Sequence, residues 1–147
     1  MVSLPSLLSL AHLIGLALAV GSATAKLTLL LKCRTDQAFL PAYVAATKPL
    51  TRLIVLGLAL LTLSGVGWLV LGYPFTTLLV VKLTLVGAIW VLGPLIDNVV
   101  EPKFRQLAPG PGEAASPAFV EIQRRYVLVE VIATGLFYVI IVIWVLF

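Results

Sequence analysis

Four long apolar runs, separated by short polar connections, leave this chain few folds to choose from. They cover about residues 4–31, 53–71, 76–99 and 126–147. A helix rises about 1.5 Å per residue, so roughly 20 apolar residues cross the hydrocarbon core of a bilayer. Composition agrees: 61% of the residues are hydrophobic and 11% charged, where soluble domains carry about a quarter charged. A soluble chain of 147 residues has too little interior to hide that apolar surface. The expected fold is an all-α membrane protein, one four-helix transmembrane bundle over residues 1–147.

Charge placement gives the orientation. Lys32, Arg34, Lys48 and Arg52 follow the first run, and Lys103, Arg105, Arg124 and Arg125 follow the third. The amino-terminal flank and the turn Gly72-Tyr73-Pro74 carry no Lys or Arg. The positive-inside rule sets both basic loops in the cytoplasm and turns both termini outward. The net charge of +4 is thus a topology signal at the ends of apolar runs, not a nucleic-acid surface. The lipid bilayer is the first partner, and a bacterial cytoplasmic (inner) membrane the expected location. A cleaved signal peptide is not expected. The string SATAK offers small residues, but no basic residue precedes the apolar run, which continues past it.

Tyr126 and Trp144 are candidate interfacial anchors. Residues 35–50 place Phe39, Tyr43, Ala46 and Leu50 at helical spacing, with Thr35 or Asp36 to cap them. They form either a short interfacial helix in the first cytoplasmic loop or, given Pro41 and Pro49, an irregular one. Residues 108–118, rich in Pro, Gly, Ala and Ser, read as a surface loop.

Ionisable groups inside lipid are the informative residues. Each costs about 2.5–3.5 kcal/mol at the bilayer centre, so they face protein and find partners. On a helical wheel His12, Gly15, Ala19, Ala23 and Lys26 share one side of the first helix. Small residues let helices approach closely in lipid, so this side faces protein. Lys82, Ile89, Gly93 and Asp97 share a face of the third helix. Glu130 lies beside Ala133, Thr134, Phe137 and Ile141 on the fourth, and the second offers Gly57, Ser64 and Gly65 for packing. Depth then sorts the ionisable groups. Lys26, Asp97 and Glu130 fall within roughly two turns of the cytoplasmic ends, where they predict a structural ion-pair group. His12 and Lys82 lie about 12 Å and about 9 Å from the outer ends of their helices. No acidic residue stands at their depth, so Lys82 needs a carbonyl, water or a bound anionic ligand as acceptor. The alternative is that Lys82 snorkels outward and His12 bonds a neighbouring backbone or hydroxyl.

Three segments carry a family likeness. LAHLIGLALAVG has an early histidine before a glycine, TLSGVGWLVLG is glycine-bearing, and VVKLTLVGAIWVLG opens the third run with a lysine. Together they resemble a broad superfamily of small bacterial membrane proteins. It includes copper-resistance protein D, the HemJ-type protoporphyrinogen oxidase and further integral membrane proteins of about this length. The likeness covers most of the chain through loose motifs. Resemblance to the oxidase implies haem b, with His12 as ligand to the haem iron and Lys82 as partner of a propionate or substrate carboxylate. The chain lacks the aromatic surroundings of the oxidase histidine, and residues 101–125 match no motif of the group. Copper handling gains little support, because one Met (Met1) and one Cys (Cys33) fall short of a soft-metal ligand set. The single cysteine also excludes an internal disulfide.

Three functions stand as expectations. The leading one is a non-catalytic accessory or subunit-type membrane protein with a protein partner or a homo-oligomeric state. The second is a haem-b-binding membrane oxidoreductase, for which a single histidine forbids bis-His ligation within one chain. The third is a small anion channel or transporter using Lys82.

Overall fold

The computed structural model describes residues 3–146. Ser3 starts the first helix, α1 (Leu4–Thr35): its Oγ accepts the Ser6 amide, and Pro5 occupies the first turn, where a missing N–H costs nothing. α1 stops at Asp36, whose extended backbone leaves the helix and whose Oδ1 accepts the Ala38 amide at 2.9 Å. A single 3₁₀ turn, Gln37–Phe39, then leads into α2 (Leu40–Val70). Residues 40–50 are therefore the first turns of a long helix continuous with the second apolar run, rather than a separate interfacial helix. Pro41 sits in the first turn, and Pro49 lies inside the helix without breaking it.

Gly72, at φ 89°, makes the reversal that a side chain would resist. Thr76 caps α3 (Thr77–Leu95), its Oγ1 accepting the Leu79 amide. α3 passes through a π turn, Ile96–Val100, into α4 (Glu101–Leu107). α5 (Pro117–Leu146) closes the bundle, with the Ser116 Oγ accepting the Phe119 amide at its start. Phe147, the last residue assigned to the fourth run, lies outside the described residues, as do Met1 and Val2.

Four helical stretches are long and apolar enough to cross a membrane: Leu4–Thr35, Gln37–Val70, Thr77–Leu107 and Pro117–Leu146. At 1.5 Å per residue each exceeds the roughly 30 Å hydrocarbon core, so helix continues beyond the apolar run that marks lipid depth. Large apolar side chains such as Leu63, Val70, Val91 and Trp144 stand exposed around the bundle, as lipid contact requires.

Lipid tails are as apolar as leucine, so burial alone does not hold such helices together; close packing and polar contacts do. α1 and α2 form the tightest pair, and the reason is a crossing of two glycines. A Cβ on Gly57 would stand 2.5 Å from the Ala19 amide nitrogen and 2.6 Å from the Gly15 carbonyl oxygen. One on Gly15 would meet the Gly57 carbonyl oxygen at 2.8 Å. Toward the other end, Tyr43, Phe104, Phe119 and Tyr126 pack with ring centroids 5.1–6.1 Å apart. Tyr126, expected at the interface, is buried here in the core; Trp144 is exposed.

The π turn sets the phase of α4. On an α-helix at about 100° per residue, positions five apart diverge by about 140°. An i→i+5 turn returns them to one side. The Glu101 amide donates to the Ile96 carbonyl, and Ile96, Glu101 and Phe104 are all buried.

Candidate functional site

Lys26 lies on the small-residue side of α1 and is 2% exposed. Three carboxylates surround its ammonium: Glu130 Oε1 at 2.8 Å, Asp97 Oδ1 at 3.3 Å and Glu101 Oε2 at 3.6 Å. Nζ donates to Asp97 and to Thr51 Oγ1 at 3.2 Å, and Thr51 also donates to Asp97. The Glu130 contact is the shortest, yet Oε1 receives no well-aligned hydrogen bond. Its attraction is that of charge at close range. Through these contacts one side chain of α1 touches α2, the π turn and α5.

The group extends through Glu101. Arg105 Nε donates to Glu101 Oε1 at 2.9 Å, one helical turn away. Tyr126 Oη donates to Glu101 Oε2, and Tyr43 Oη donates to Tyr126 Oη at 2.7 Å. The structure thus brings together Lys26, Asp97 and Glu130, and adds Glu101, Thr51 and Arg105, which sequence reasoning missed. Glu101 carried a signal, since it is spaced one turn from both Asp97 and Arg105. By formal charge, two cations face three carboxylates in this group, one carboxylate more than the cations match.

This end of the bundle borders a cavity of about 370 Å³. Ile54, Leu58, Ile89, Trp90 and Phe137 form its apolar walls, while Lys26, Asp97, Glu130 and Thr134 stand at its polar side. Among the described residues, no three His, Cys, Asp or Glu side chains are arranged to hold a metal ion.

His12 and Lys82 have different partners. His12 Nδ1 lies 2.9 Å from Ser64 Oγ, across the α1–α2 contact. The Ser64 hydroxyl is also placed to donate to the Leu60 carbonyl at 2.7 Å. The imidazole and the hydroxyl therefore share one contact between the two helices, with Ser64 bridging His12 and its own helix backbone. Lys82 Nζ sits 4.6 Å from the centroid of the Trp144 ring, between α3 and α5. Neither residue lines the cavity beside Lys26. A haem ligated by His12 with a propionate on Lys82 would have to draw Lys82 off its tryptophan.

Comparisons with protein families, with curated proteins and with solved structures found no match to this chain.

Proposed function

We propose that the chain is a non-catalytic, accessory or subunit-type integral membrane protein. In this reading it lies in the bacterial cytoplasmic membrane with both termini outward and works beside a protein partner or a second copy of itself. One observation carries the reading: the cationic and imidazole side chains of the bundle are held in contacts between helices. Lys26 binds its three carboxylates, His12 binds Ser64 and Lys82 rests on Trp144.

The test is purification from native membranes in a mild detergent after cross-linking, with an absorption spectrum of the same sample. The expected result is a colourless protein recovered with a stoichiometric partner or as a defined oligomer. A Soret band that is lost in His12→Ala would overturn the reading in favour of the haem-binding oxidoreductase.

A further inference from the structure

The cavity beside Lys26 has features that a purely structural ion-pair group does not explain. Its size falls within the roughly 300–1,000 Å³ of small-molecule sites. Val55 of α2 and Trp90 of α3 line it and are both exposed residues of helices long and apolar enough to cross a membrane. The opening is therefore lateral, between those two helices.

The excess carboxylate faces this space. Glu101 has Arg105 as well as Lys26, whereas Asp97 and Glu130 have Lys26 as their one cation partner among the described residues, and both border the cavity. The Asp97 side chain is 27% exposed, within reach of a ligand. An independent observation sits one turn along α5. Thr134 is 3% exposed, borders the cavity and has no hydrogen-bond partner for Oγ1. Thr24, Thr28, Thr47, Thr62 and Thr84 each donate to the carbonyl four residues back. Thr134 does not, and a buried hydroxyl left unpaired is costly.

We propose that the cavity is a binding site for a small amphipathic cation, an aliphatic or aromatic body carrying a protonated amine. The body packs between Ile54, Leu58, Trp90 and Phe137. The ammonium meets Asp97 and the Thr134 hydroxyl oxygen and matches the excess carboxylate. Such amines partition into bilayers, so entry is from lipid through the gap at Val55 and Trp90.

Three probes with one body separate the possibilities: 4-phenylbutylamine, 4-phenylbutan-1-ol and 4-phenylbutyrate. Each is titrated calorimetrically into the full chain in lipid nanodiscs, with empty nanodiscs subtracted. The amine should saturate one site per chain and bind at least about tenfold more tightly than the alcohol or the acid. Asp97→Asn should remove that preference. Thr134→Val should weaken the amine about threefold without lowering the melting temperature of the ligand-free protein, because it deletes an unpaired hydroxyl. Equal binding of all three probes, preference for the carboxylate, or unchanged amine affinity in Thr134→Val would overturn the site. Thr134→Val decides the matter even if Asp97→Asn fails to fold, since it removes no partner of Lys26.

Discussion

An ammonium in the membrane interior persists only where fixed protein charge replaces its water, and Lys26 has that replacement from three directions. The outer pair of residues uses weaker means. His12 is tied to Ser64 by one interhelical hydrogen bond, a contact worth about 0.6 kcal/mol in membrane bundles. Ser64→Ala should lower stability by about that amount, and adding His12→Ala should lower it by less than His12→Ala does alone. Thermal melts of the three variants check this. Lys82 over Trp144 is a cation–π contact worth about 0.5–1 kcal/mol. Lys82→Met should cost that much in the native protein and almost nothing in a Trp144→Leu background. The sequence sets His12 and Lys82 at similar distances from the outer ends of their apolar runs. Depth along a helix says nothing about which helices are neighbours, so the different partners of the two residues were not legible.

At the scale of the elements, the α1–α2 hairpin rests on backbone contact at Gly15 and Gly57. Gly57→Ala drives a methyl group into the backbone of α1, and overpacking of this kind costs about 1–3 kcal/mol. Gly65 has open space where a Cβ would go, so Gly65→Ala should be neutral or raise stability by up to about 1 kcal/mol through helix propensity. Melting temperatures of the two variants in one detergent separate a packing glycine from an idle one. The four helices were legible because apolar length is a strong signal in lipid. The turn at Gly72 was legible too, with α2 ending at Val70 and α3 starting at Thr77. The inner ends were not, since apolar composition reports where lipid stops and not where helix stops: α1 runs on to Thr35 and α2 starts at Leu40, well outside the apolar runs. Glu101 was left out because it falls just past the third apolar run, which ends at about residue 99, although its spacing of one turn from Asp97 marked it.

For the whole molecule, Lys26, Asp97 and Glu130 were legible as a group, because wheel position and depth together left them facing one another. Orientation rests on the distribution of Lys and Arg, and labelling tests it. Native Cys33 is buried at 1% exposure and should react slowly from either side. In a Cys33→Ser background, an impermeant thiol reagent should label Ser3→Cys in intact cells and Glu113→Cys only in inverted vesicles. The reverse pattern would turn the topology over. The central claim is that one cation joins all four membrane-spanning helices, and a double-mutant cycle between Lys26→Met and Glu130→Gln tests it most directly. Lys26→Met leaves Glu130 without its cation and should cost about 3–5 kcal/mol, whereas Glu130→Gln leaves Lys26 with Asp97 and Glu101 and should cost less. The double variant removes both charges and should cost clearly less than the two losses combined. Strict additivity in nanodisc unfolding measurements would contradict the claim and leave Lys26 a bystander in the bundle.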